Sequence, residues 1–305
     1  MTKSYSYKEI IESGKIDVEK AKASGYVTME EKEKLGYYTI DASSNRGTIK
    51  RAYEQKDEIY AHIREEVETS LGRDIKILGM EAPFPYDAVD ITFVSVDEPI
   101  VKDMMTISLS DNGYFSEGAT KSEAGNGFQE DVIIGLYFMA YKEEIKEMSK
   151  YIEETYPQYQ GFPANLMDYT DKLDPFIMIH FTIPDRNIER MDNAEKEKAE
   201  LFALYKDNPI RSDEEWKQLF EEKTNLDFLV NVNLVIRDES KIPTEKMANE
   251  ILDDIKINPL FKNYFSYGTM ILSNLWDTKR NHSLIRENYA WTRDQEKVGD
   301  SSNGN

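Results

Sequence analysis

GNGFQEDVIIGLYFMAYKEEI, residues 125–145, is the stretch on which the reading of this chain turns. Two glycines open a strongly apolar run, which fits either a phosphate cradle or the start of a core helix. A phosphate loop needs a series of free backbone N–H groups with a Lys or a Ser/Thr at the helix start. Here the helix opens with Gln129, Glu130 and Asp131. Asn126 can cap, Gln129 can reach back as the third helical residue, and the two acids fill the positive end of the dipole that an anion would otherwise occupy. The stretch therefore predicts a capped core helix. From Val132 to Tyr141 it is apolar around nearly its whole circumference, which predicts a central position in the first half of the fold. Gly135 inside it would permit a neighbouring backbone to approach closely. The stripe Ile134, Phe138, Tyr141, Ile145, Met148 and Ile152 carries the helix to about Tyr156.

Upstream, Ile49, Ala52, Tyr53, Ile59, Ile63, Val67 and Leu71 recur at helical spacing and predict one helix over 45–71, ended by Gly72. Three strands follow, DIKILGME, AVDITFVSV and MMTISLS, separated by the Pro83/Pro85 turn and the Pro99 region. SDNGYF predicts a tight hairpin turn at Asn112–Gly113. Residues 1–42 read as an arm of short helices, with Asp17 and Thr28 as N-caps, Glu31 completing a capping box with Thr28, and Gly25 and Gly36 as stops. Tyr5, Tyr7, Tyr26, Tyr37 and Tyr38 are the candidate anchors of that arm, since a tyrosine packs its ring and keeps its hydroxyl wet.

Downstream, PQYQGFP (157–163) is rich in turn-formers and is the candidate boundary between two halves. PFIMIHFTIP then reads as a buried strand, NAEKEKAELFALYKDNP as a helix stopping before Pro209, and SDEEW as a second capping box between Ser212 and Glu215. FLVNVNLVI is an alternating strand, TEKMANEILDDIKI a helix capped by Thr244, and YGTMILSNLW the last strand. The fold class is α+β: a first half over 43–160 and a second over 161–293, each with antiparallel or mixed sheets packed with long helices. The helical arm (1–42) and a disordered tail (294–305) flank them.

Composition sets the functional limits. A chain of 305 residues with 40% hydrophobic and 11% aromatic content has ample material for a core. Its Lys+Arg total of 38 against Asp+Glu 58 gives a formal charge of −20, which repels a phosphate backbone, so nucleic acid is not an expected partner. There is no cysteine, which removes disulfides, thiolate zinc sites, iron–sulfur clusters and cysteine nucleophiles together. No segment approaches the roughly 20 apolar residues of a membrane span. MTKSYSYKEIIESGK lacks the apolar core of a signal peptide, so an exported protein would be represented here in processed or trimmed form.

Chemistry-bearing motifs are few. His62 and Glu66 lie one turn apart on a helix face, which offers two metal ligands at most. His180 alternates with Phe176 and Met178 on a strand and reads as a half-buried histidine. DNGYFSE, residues 111–117, has oxygen ligands but neither the order nor the flanking helices of a calcium loop, and reads as a turn. No nucleophile signature is present. Two acids could converge across the fold for acid/base work, but sequence singles out no pair. No catalytic residue, cofactor or metal is therefore assigned. The locally basic segment WDTKRNHSLIRENYAW stands out in an acidic chain. Its Arg280, His282, Arg286, Tyr289 and Trp291 are the candidate interaction residues, suited to internal pairing with the acidic body or to an anionic partner.

Three segments, DVIIGLYFMAYKEEIKEMSKYIEE, AELFALYKDNPI and RNHSLIRENY, resemble in order and separation a family of proteins described as lipoproteins of Gram-positive bacteria and catalogued as a domain of unknown function. The likeness runs over roughly residues 45–290 and rests on structural motifs. The resemblance implies export, tethering to the outer face of the membrane through a lipidated cysteine absent from this chain, and an unknown protein or envelope ligand. It carries no catalytic residue. The expectation is a non-enzymatic, extracytoplasmic binding protein; the alternative is an acidic intracellular protein of the immunity or inhibitor type that covers a basic partner.

Overall fold

The computed structural model describes residues 7–35, 46–82, 88–109, 126–162, 174–182, 188–277, 282–284 and 286–292. The arm comprises α1 (Tyr7–Ser13), α2 (Val18–Ala23), β1 (Tyr26–Val27) and α3 (Met29–Leu35). Both expected caps form: Asp17 accepts from the Lys20 N–H, while Thr28 and Glu31 exchange the two bonds of a capping box. Among the described residues, the contact with the body is largely aliphatic. Ile10, Ile16 and Ala21 bury against Leu275 and Leu284 with Tyr26 at their edge, and Met29 packs on Val235, Met270, Leu272 and Trp276. Tyr5, Tyr37, Tyr38 and the Tyr7 side chain lie outside the described residues.

The first half follows as α4 (Arg46–Glu54), α5 (Lys56–Leu71), β2 (Ile75–Glu81), β3 (Ala88–Ser95), β4 (Lys102–Ser108), α6 (Asn126–Ala140) and α7 (Lys142–Thr155). The single helix expected over 45–71 is broken at Gln55, whose ψ of 17° leaves the helix. The break lets α4 lie on β3 while α5 lies on β2. Gly72 ends α5 at φ 69°, its N–H donating to the Glu68 carbonyl. A second break falls at Tyr141. It separates α6, buried on every side, from α7, which buries only the stripe Ile145, Met148 and Ile152. A helix that must be enclosed and one that must keep a wet face need different directions. The capping role expected of Asn126 rests on a side chain outside the described residues, as does the turn expected at Asn112–Gly113.

The second half comprises β5 (Tyr159–Gln160), β6 (Ile177–Thr182), α8 (Ile188–Asp207), α9 (Asp213–Glu221), β7 (Asp227–Ile236), α10 (Glu245–Ile257), β8 (Ser266–Leu272), β9 (Trp276–Asp277), β10 (His282–Ser283) and β11 (Arg286–Thr292). β2, β3 and β4 form an antiparallel sheet, β1, β9 and β10 a small one, and β11, β8, β7, β6 and β5 a mixed sheet. β7 is central. It runs parallel to β8 on one side; on the other, β6 pairs with its first part and β5 with its end. Within 157–162, Tyr159 and Gln160 extend the sheet edge, and the Phe162 N–H donates to the Pro175 carbonyl at 2.7 Å.

The alternation of FLVNVNLVI does not mark a wet face either. Asn231 and Asn233 are buried, and the Asn231 amide donates to the Asn233 side-chain oxygen, so β7 is enclosed on both faces. The locally basic segment after the last expected strand supplies β10 and the edge strand β11, which pairs antiparallel with β8.

One hydrophobic cluster joins the two halves, from Ile49 and Leu71 through α6 and α7 to Val232, Ile251 and Ile271. α6 sits at its centre. A Cβ placed on Gly135 would lie 2.7 Å from the Ile100 carbonyl oxygen, which is the close backbone approach the sequence predicts. Gly127, in the same helix, faces open space. Gly135→Ala is expected to lose about 1–3 kcal/mol from this overpacking, whereas Gly127→Ala should gain up to about 1 kcal/mol of helix propensity. Chemical denaturation of both variants checks the pair, and a Gly135→Ala protein as stable as wild type would contradict the packing.

Candidate functional site

Two helix starts converge on one cleft. The turn at Tyr141, whose ring stacks on Tyr137 at 4.4 Å, brings Glu143 and Glu144 into the first turn of α7. The α9 capping box, in which the Ser212 side chain accepts from the Glu215 N–H and Glu215 from the Ser212 N–H, sets Asp213 and Glu214 in the first turn of that helix. Acids at both positions are locally favoured by the helix dipole. Together with Glu147, Lys142 and Lys217, and with Met139 and Ala140 as apolar wall, they line a cleft of about 500 Å³.

Five carboxylates therefore face two lysines, and both lysines are engaged. Lys217 pairs with Glu144 and lies 5.3 Å from the Tyr141 ring; Lys142 pairs with Glu98 at the rim. Partial burial pushes the Glu144 carboxyl up, but the hydrogen bond from Lys217, its backbone bond and the Lys217 charge outweigh it and hold the group below its ordinary value. Glu143 pairs with Lys146 at 2.6 Å on the exposed side of α7. Among the described residues, Glu147, Asp213 and Glu214 have no ion-pair partner within 4.0 Å. The cleft holds carboxylates in excess of lysines, an arrangement that favours cations.

A smaller cavity of about 220 Å³ lies between α6, α8 and the ends of β6 and β7. Lys198, 5% exposed, is held there by Glu130 and Glu195, 5.4 Å from the Phe181 ring. Burial pulls its ammonium down, yet the hydrogen bonds to Glu130 and Glu195 leave it raised overall and charged. A charged, doubly paired lysine is a lock between α6 and α8 rather than a nucleophile. Beside it, Arg190 pairs with Asp227, and the Asn225 amide donates to Glu197 at 2.8 Å.

Arg280 lies outside the described residues. His282 is in β10, and Arg286, Tyr289 and Trp291 are in β11, where the backbone is described. His62 and Glu66 are half-buried on α5, and His180 is half-buried on β6 opposite Leu229. Among the described residues no group of three or more His, Asp and Glu is placed to hold a metal ion, and no helix is long and apolar enough to cross a membrane. Residues 111–117 lie outside the described set. Sequence reading did not single out the cleft acids; runs of acids at two helix starts, EE after Lys142 and DEE after Ser212, were the available signal.

The profile of a family described as "Protein of unknown function (DUF1672)" matches residues 85–295, and the chain belongs to that family. No curated protein gives a significant match. The fold is similar to the crystal structure of a DUF1672 family protein from Staphylococcus aureus, at 15% identity and a TM-score of 0.57, over 88% of this chain and 97% of that one.

The Glu144–Lys217 pair has a definite pH signature. Because the folded-state value of Glu144 is lowered from 4.5, its contribution is complete above the unfolded-state value and is lost as pH falls through the folded one. The side chain is 45% exposed, which limits the effect to below about 1 kcal/mol. Between about pH 5 and about pH 3 the wild type should lose more thermal stability than Glu144→Gln. Equal losses on acidification would show that the pair contributes nothing.

Proposed function

We propose that this member of the DUF1672 family is a non-enzymatic binding protein of the bacterial cell envelope that receives a cationic ligand in the cleft between α7 and α9. The observation that carries the reading is the excess of carboxylates over lysines there, with both lysines already paired. The field of the whole molecule, at a formal −20, adds to the local one and steers cations toward the site. Four of the five acids, Glu143, Glu144, Asp213 and Glu214, sit on the first turns of two helices and Glu147 follows in α7, so their places are fixed by the fold before any ligand arrives.

Extracytoplasmic placement rests on the resemblance of residues 131–154, 199–210 and 280–289 to Gram-positive lipoproteins. In this reading a lipidated N-terminal cysteine holds the protein at the outer face of the membrane. The alternative, an acidic intracellular protein that covers a basic partner, is favoured by the net charge alone. Intact mass and fractionation of the native protein separate the two. A membrane-bound species heavier than the present chain by a lipidated cysteine and linker is the expected result; a soluble cytoplasmic species beginning at Met1 would overturn envelope placement.

The cleft is tested with oligolysine of about eight residues as probe, by titration calorimetry. Asp213→Asn combined with Glu214→Gln and Glu147→Gln should weaken binding by at least about ten-fold, and raising the salt should weaken it further. The Asp213 and Glu214 substitutions each cost less than about 1 kcal/mol of helix-dipole stabilisation, and Glu147 is exposed, so the variant stays folded. Undiminished binding by the triple variant would place the cation site elsewhere and defeat the proposal.

A further inference from the structure

Beside the acidic cleft, two loops expose apolar side chains on firmly held backbone. Ile210, between α8 and α9, is 82% exposed, and Val96, between β3 and β4, is 57% exposed. Isolated exposed apolar residues are normal on a protein surface. These two are tied together through Arg73, which donates to the Pro209 carbonyl at 2.7 Å and to the Glu98 carbonyl at 3.3 Å.

Each loop is also pinned on its own side. The Val96 N–H donates to the Asp74 carbonyl at 2.8 Å, and Ser95 accepts from the Val101 N–H while donating to the Pro99 carbonyl. Arg211 donates to the Asn208 carbonyl at 3.1 Å and also to the Leu204 carbonyl, with its guanidinium 5.5 Å from the Trp216 ring. A valine and an isoleucine held in water on ordered backbone lose little entropy when something covers them. Both also adjoin the cleft. Ile210 lies three residues before Asp213, and Glu98, two residues after Val96, pairs with the cleft residue Lys142.

We infer that the cationic ligand is a basic amphipathic segment of another protein, whose Lys or Arg side chains enter the cleft while its apolar side chains cover Ile210 and Val96. This rests on the cation-binding reading of the cleft and adds the partner's class. Charge selects the occupant: a second copy of a chain at −20 and an anionic lipid surface are both repelled, while a small cation leaves the two apolar side chains wet. Arg73 and Arg211, beside these loops, donate to backbone carbonyls and are turned to internal work.

The experiment compares two synthetic probes of equal charge on the full chain, oligolysine and an amphipathic Lys/Leu peptide. The amphipathic peptide should bind about ten-fold tighter or more, as expected for newly buried apolar area. Ile210→Ser with Val96→Ser should abolish that advantage and leave oligolysine binding unchanged. Ile257→Ser, at a site equally exposed at 82% beyond the cleft, should alter neither probe. Equal affinity of the two probes, an unaffected Ile210/Val96 variant, or an equal loss in Ile257→Ser would overturn the amphipathic partner while the cleft stands. Indifference of both probes to the Asp213, Glu214 and Glu147 substitutions would instead remove the cleft reading, and the inference with it.

Discussion

A helix with no polar side must be covered on every side, and the arrangement of this protein follows from that constraint on α6. Val132, Ile133, Leu136 and Tyr137 are all buried, so the helix needs walls all round. The Gly135 backbone admits the Ile100 carbonyl and the Val101 side chain from the first half. Tyr137 lies 4.1 Å from Phe228 of the central strand and 5.3 Å from Phe220 of α9, while Phe128 meets Phe202 of α8 edge-on. Hydrophobic burial has no preferred direction. The glycine and the aromatic rings give it one, and the two halves of the chain are joined through this helix.

The same enclosure explains the polar bonds at its rim. Lys198 fastens the N-terminal part of α6 to α8 through Glu130, and the hydroxyls of Tyr151 and Tyr156 both donate to Asp254, at 2.7 and 2.8 Å, fastening α7 to α10. Burial raises both phenol pKa values and their bonds to Asp254 raise them further, so the two donors stay protonated at any ordinary pH. Such bonds add little net energy against water, but breaking one partner leaves a desolvated group behind. They fix the angles at which the apolar faces meet.

Much of this was legible because it is local. The capping boxes at Thr28 and Ser212, the Thr244 cap, the Gly72 stop and the strands of both halves depend on residues within a few positions of one another. Gly135 was legible for a different reason: a glycine inside an all-round apolar helix has few uses other than close approach. What was lost lay in long-range geometry. The breaks at Gln55 and Tyr141 carry no Pro or Gly, and answer to the walls they face. Tyr159–Gln160 and Arg286–Thr292 are strands because β7 and β8 offer free edges. The buried asparagines of β7 mimic an amphipathic pattern in an enclosed strand. The cleft was hidden most completely, because four of its five acids already had a sufficient local reason to be where they are.

That double role bears on what the cleft can bind. Acids held in the first turns of two helices are placed without a ligand, so that part of the site is preformed in the free protein and little ordering cost falls on the binding step. Lys142 and Lys217 offset part of the charge from within. A single ammonium would compete with these tethered lysines on unequal terms, since they lose no translational freedom. A chain carrying several cations at fixed spacing loses that freedom once for all its contacts. The resident lysines thus discriminate against simple ions and in favour of a polyvalent partner, and the exposed Ile210 and Val96 beside them supply the apolar contact that a purely charged polymer cannot use.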